Sequence, residues 1–215
     1  FDSAEYPTEA GSALLAGRVP AEDAEVLANA TAQGLVCLGK THMSELAFSG
    51  LGLNPVTATP ACINDAAAVA GGSSSGAAAS IACDLAAGAI GSDTGGSVRI
   101  PAAWNDLVGL KTTAGRVSVQ GVVPLCATFD TVGPLSKTVE DAALLLAALE
   151  GRTPADLTAS SLRGKRLGVL QTVAFDELRE APALGFETAL AKVIKAGAMV
   201  EDIEIEAVSK AMPLS

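Results

Sequence analysis

Gly91-Ser92-Asp93-Thr94-Gly95-Gly96-Ser97-Val98-Arg99-Ile100-Pro101 is the stretch on which the reading of this chain turns. Ala89 and Ile90 lead into it as a short apolar run. Consecutive glycines ahead of a serine carry no Cβ, so several amides of Thr94-Gly95-Gly96-Ser97 can converge on one point. Donors arranged in this way stabilise an oxyanion, each worth on the order of 10²–10³ in rate. Asp93 can accept from loop amides, and the Arg99 fork can bind carbonyls or a carboxylate. Both are read as supports of the site, with a structural ion pair as the plainer alternative.

Upstream lies a second loop of the same character, Gly71-Gly72-Ser73-Ser74-Ser75-Gly76. A Gly/Ser stretch can be a flexible linker, but both loops abut strongly apolar, structured segments, and Asp93 and Arg99 have no place in a linker. A phosphate loop would end in Gly-Lys-Ser/Thr or show GxGxxG with an acid downstream, and neither loop does. A nucleophilic serine beside an oxyanion hole remains, and its hydroxyl needs a base. The one histidine, His42, sits in Lys40-Thr41-His42-Met43 with no evident Asp partner and reads as structural. Lysine serves as the base in other serine hydrolases, where burial or nearby charge frees its neutral amine.

Outward from these loops the pattern alternates between helix and strand, which predicts an α/β fold. Helices are expected at Pro20–Gln33, Ala77–Ala87, Val139–Leu149 and Pro182–Lys195. Thr138 or Ser136 is expected to cap the third, which has Glu140 and Asp141 in its first turn. Strands are expected at Leu35–Leu38, near Val117 and Val122, at Lys165–Leu170 and at Met199–Ile205. A loop is expected from Ser49 to Asp65. The alanine-dominated second helix has almost no bulky side chains, so it should approach its neighbours closely inside the fold.

Composition narrows the class. Hydrophobic residues make up 49% of the 215, too many for a disordered chain. The net charge of −10 disfavours attraction to nucleic acid or to anionic membranes, and no apolar run is long enough to span a bilayer. Cys37, Cys62, Cys83 and Cys126 are far apart, form no CxxC, and read as buried reduced thiols of a cytoplasmic protein. No metal-ligand spacing is present and no cofactor is expected. Phe1 to Ala13 lacks the basic start and apolar run of a signal peptide; both ends read as cut from a longer protein.

Together the two loops closely resemble the core of the amidase signature family. So do Gly39-Lys40-Thr41, Gly109-Leu110-Lys111-Thr112, Gly133-Pro134-Leu135 and Thr138-Val139-Glu140-Asp141. The resemblance runs from about Phe1 to Leu149 and more weakly from Gly164 onward. It implies a mixed twisted sheet with helices on both faces, and a single signature domain over residues 1–215 that is incomplete at both ends. It also implies amide C–N cleavage by a Ser–Ser–Lys triad. The nucleophile falls on Ser97 and the bridging serine, preceded by a cis peptide bond, on Ser73. Oxyanion donors fall on the backbone of Thr94, Gly95, Gly96 and Ser97, with Ser74 hydrogen-bonding inside the site. Phe1-Asp2 matches the tail of the motif that carries the catalytic lysine, which is therefore expected just upstream of Phe1; neither Lys40 nor Lys111 occupies that motif. The implied partner is a small-molecule amide, met by a cytoplasmic enzyme that is a homodimer by family analogy. The alternatives are the glutaminase component of a tRNA-dependent amidotransferase, and a non-catalytic protein that keeps the fold.

Overall fold

The computed structural model describes residues 1–211; residues 212–215 of the expected domain lie outside the described residues. The chain forms two compact units, Phe1–Ala155 and Asp156–Ser215.

The first unit is built around β5 (Thr131–Ser136), whose six residues are all buried. It lies between β3 (Ala89–Asp93) and β4 (Val108–Gly109), antiparallel to both. Alternate residues of a strand face opposite sides of its sheet, and here they enter two different cores. Val132 packs with Val26 and Ala30 of α1 (Glu25–Ala32) and Leu149 of α4 (Val139–Glu150). Leu135 packs with Ala77 and Ala78 of α2 (Ser75–Ala82) and with Val98 and Ala102, the latter in α3 (Arg99–Trp104). Helices thus cover both faces of this sheet. Gly133 makes the register tolerable, because a Cβ there would lie 1.9 Å from the Leu110 carbonyl oxygen.

Local chemistry accounts for the element ends. The Thr138 side chain caps α4 by accepting the Asp141 N–H, and Gly151 closes the helix in the left-handed region at φ 64°. The small residues of α2 do admit close neighbours: a Cβ on Gly76 would lie 2.4 Å from the His42 backbone nitrogen. Ahead of α2, β1 (Ala61–Cys62) and β2 (Asp65–Val69) form an antiparallel hairpin.

The second unit contains β6 (Arg166–Leu170) and β7 (Met199–Ile203), paired in parallel and joined through α5 (Glu180–Lys195). The short α6 (Glu206–Ala211) follows. The described strands thus form three separate sheets, two antiparallel in the first unit and one parallel in the second, and the fold class is α/β.

Several expected elements differ. Residues 20–24 are not helical, because the Ala24 N–H is spent on the Asp2 carbonyl and α1 begins only after it. Leu35–Leu38 forms no strand; the Leu35 N–H turns back to the Ala30 carbonyl, and the run is exposed. Val117 is buried without strand pairing. Helix α2 stops at Ala82 rather than Ala87, where Asp84 takes φ 59°. The expected loop from Ser49 to Asp65 contains β1. The cysteines are free, as expected, but not buried: Cys37 and Cys83 are exposed, and Cys62 and Cys126 are half-buried. Among the described residues no helix is long and apolar enough to cross a membrane.

Candidate active site

The two Gly/Ser loops meet beside the end of β3. One leads into α2 and the other joins β3 to α3. The Ser74 N–H donates to the Ser97 carbonyl at 3.1 Å, so the loops are bonded directly. Gly91 permits this approach, since a Cβ there would lie 2.6 Å from Ser74 Oγ. The Ser74 hydroxyl donates to the Ser92 carbonyl at 3.4 Å, and the Ser73 carbonyl accepts the Ser44 N–H at 3.1 Å. The Gly72–Ser73 peptide bond is cis, the arrangement the resemblance implies.

Ser73, Ser74, Ser75 and Ser97 are all buried. Among the described residues, Ser73 Oγ has no hydrogen-bond partner, so it is not bonded to Ser97 Oγ in this structure. Burying a hydroxyl without a partner costs about 1–3 kcal/mol, which marks Ser73 as an unusual point in the fold.

Asp93 organises the second loop. Its carboxylate is fully buried and accepts the N–H groups of Gly96 (2.8 Å), Val98 (3.1 Å) and Arg99 (3.3 Å). It also accepts Nε and Nη2 of Arg99 at 3.0 and 2.9 Å. Burial pushes the Asp93 carboxyl up, but the Arg99 guanidinium and the Val98 and Arg99 amides outweigh it and hold the group below its ordinary value of 3.8. Asp93 and Arg99 are therefore the ion pair that the sequence allowed, and the pair shapes the loop around Ser97.

One expected oxyanion donor is corrected by this network. The Gly96 N–H is committed to Asp93 Oδ1, which satisfies it inside the loop. The N–H groups of Thr94, Gly95 and Ser97 have no such partner among the described residues. Gly95 is exposed and Ser97 buried, so these amides stand at the boundary between solvent and core.

His42 enters through its backbone alone. Its carbonyl accepts the Gly76 N–H at 2.8 Å and the Ser75 hydroxyl at 3.4 Å, while the residue is exposed. Lys40 Nζ donates to the Phe1 carbonyl and to Thr8 Oγ1. Desolvation by burial lowers the lysine below its ordinary value, but its contacts are to the Phe1–Thr8 segment and not to Ser73. Among the described residues no cluster of His, Cys, Asp and Glu could hold a metal ion.

Two further polar residues tie into the loop: Asp130, which the sequence placed only in a segment around Cys126 to Asp130 expected to shape the pocket, and Thr131, to which it gave no role. The Thr131 hydroxyl donates to the Asp93 carbonyl at 2.6 Å, and the Thr94 hydroxyl donates to Asp130 Oδ1. Both residues are buried at the start of β5. The only hint of these bonds in the sequence is a polar Asp-Thr pair set against the apolar run that follows it.

Comparison with known proteins gives consistent relatives. The Amidase family model matches residues 1–215. A glutamyl-tRNA(Gln) amidotransferase subunit from Cereibacter sphaeroides is 35% identical over 226 residues, covering 96% of this chain and 45% of that protein. Its namesake from Anaeromyxobacter dehalogenans is 38% identical, with 93% and 43% covered. Among solved structures, the namesake from Thermotoga maritima superposes with TM-score 0.88 at 30% identity, covering 95% of this chain and 48% of that one. The peptide amidase of Stenotrophomonas maltophilia gives TM-score 0.83 at 38% identity, with 94% and 46% covered. The chain thus spans a little under half the length of these relatives.

Proposed function

This chain belongs to the amidase family, and from that premise we propose that it carries the two serines of an amide-hydrolysing Ser–Ser–Lys triad. Ser97 is the nucleophile and Ser73 the bridging serine. The lysine is supplied by a segment of the full protein outside this chain. The observation that carries the reading is Ser73 Oγ: fully buried, without a partner among the described residues, and one residue from the Ser74 N–H bonded to the Ser97 carbonyl. A lysine amine delivered there would satisfy it.

On this reading the neutral lysine takes a proton from Ser73 as Ser73 takes one from Ser97. Ser97 Oγ attacks the amide carbonyl, and the oxyanion is held by the N–H groups of Thr94, Gly95 and Ser97. Ser73 then passes its proton to the departing amine, so the C–N bond breaks to leave an acyl-enzyme. Water releases the acid by the same relay in reverse. Asp93 and Arg99 keep the loop in shape and take no part in proton transfer. The substrate is a small amide, met in the cytoplasm, and residues 1–215 belong to one signature domain. The loop from Phe48 to Cys62 and the residues around Cys126 to Asp130 are taken to shape the pocket, and their mix of Ala, Thr, Leu and Phe supports an apolar group on the substrate.

The test uses the full-length protein. Ammonia release across a panel of amides should be lost in Ser97→Ala, together with covalent labelling by a fluorophosphonate probe. Unchanged labelling of that variant would end the assignment. The curated relatives favour a second reading, in which the same site acts on glutamine within a tRNA-dependent amidotransferase. Glutaminase activity and co-purifying partner proteins would support it over the stand-alone enzyme.

A further inference from the structure

We propose that Asp130 is a positioning residue for the oxyanion loop, acting through the Thr94 hydroxyl. This rests on the reading of Ser97 as nucleophile.

The loop between Asp93 and Ser97 is anchored unevenly. On its C-terminal side the Asp93 carboxylate holds the N–H groups of Gly96, Val98 and Arg99. Its leading part, Thr94-Gly95, has none of these bonds. Gly95 and Gly96 have no side chains, so Thr94 is the one residue between Asp93 and Ser97 with a side chain to hold. Its hydroxyl is bonded to Asp130 Oδ1, 36 positions away in sequence.

Asp130 is itself immobilised. It is buried, and its carboxylate also accepts the N–H groups of Leu125 and Cys126, each at 3.0 Å. Those two amides would suffice to fix the turn before β5. The bond to Thr94 adds a cross-link from that turn to the loop carrying the candidate oxyanion donors. A second cross-link, from Thr131 Oγ1 to the Asp93 carbonyl, fixes the adjacent residue pair. Exposed Phe129 lies on the same turn, so the segment expected to meet the substrate and the oxyanion loop share one anchor.

Preorganised donors act only if they are held where the charge develops, and a misplacement of about 1 Å can cost ~10²-fold in rate. In the full-length enzyme, Thr94→Val removes the donor while keeping the shape, and Thr94→Ser keeps the donor. Thr94→Val and Asp130→Asn should each lower kcat about 10–100-fold with KM changed less than about 3-fold, the pattern of an interaction made in the transition state. The rate of fluorophosphonate labelling should fall in parallel. Thr94→Ser should restore kcat to within about 3-fold, and the double variant should be no worse than the poorer single variant, because both act through one bond.

Wild-type kcat in folded Thr94→Val, or additive losses in the double variant, overturns the proposal while leaving the nucleophile in place. If Asp130→Asn does not fold, the Thr94 pair still decides the question. Cleavage surviving in Ser97→Ala overturns the nucleophile assignment itself, and this proposal with it.

Discussion

Replacing Asp93 with Asn tests the part of the structure that sets the Thr94–Arg99 loop around Ser97. The side chain is fully buried and accepts five hydrogen bonds, three from backbone N–H groups and two from Arg99. Asparagine keeps the shape but offers one acceptor oxygen. If its amide nitrogen takes the Oδ2 place, it faces the N–H groups of Val98 and Arg99 and Arg99 Nε. If it takes the Oδ1 place, it faces Gly96 N–H and Arg99 Nη2. Either way at least two donors meet a donor, and the charge opposite Arg99 is gone. Breaking a buried pair from one side costs about 3–5 kcal/mol. The Arg99 side chain is 51% exposed and can regain water, so a loss of about 2–4 kcal/mol is expected, a drop in Tm of roughly 5–15 °C.

The same variant should also flatten the acid limb of the stability curve. Asp93 is held below its ordinary value of 3.8. Its contribution is therefore complete above that value and is lost as pH falls through the lower folded-state value. Urea unfolding of wild type and Asp93→Asn between pH 7 and pH 3 would measure both effects, with fluorophosphonate labelling reporting the loop. A variant within about 0.5 kcal/mol of wild type at pH 7, the range of an ordinary surface substitution, would refute this account of the loop.

Gly133→Ala should prevent stable folding of the first unit, because its Cβ would sit 1.9 Å from the Leu110 carbonyl oxygen and backbone cannot swing aside as a side chain can. Soluble yield and circular dichroism would show it, and a folded variant near wild-type Tm would contradict the register of β5. Thr138→Ala should cost about 1 kcal/mol by removing the cap from the Asp141 N–H. A denaturation midpoint that does not move would mean the cap is not formed in solution.

Much of the site was legible in the sequence because it is local. Gly-Gly-Ser runs state which backbone can turn inward, whatever the chain packs against. Thr94, Gly95, Gly96 and Ser97 are consecutive, and Asp93 and Arg99 lie within reach of their amides. Helix α4 was read to within one residue, Val139–Leu149 against Val139–Glu150, since its acidic first turn and one of its two candidate caps, Thr138, are local signals. The βαβ order of Arg166–Leu170, Glu180–Lys195 and Met199–Ile203 was legible for the same reason.

Tertiary structure decided whatever depended on distant partners. Whether an apolar run becomes a strand depends on a neighbour to pair with, so Leu35–Leu38 and Val117 were misread from hydropathy alone. Which loop amides stay free was settled by the Asp93 carboxylate turning onto Gly96, a choice of side-chain direction that spacing does not encode. The bond between Asp130 and Thr94 became visible only once β5 lay beside β3 and brought that carboxylate to the loop. Hydrogen bonds act over about 3 Å, and only the folded chain sets which residues come that close.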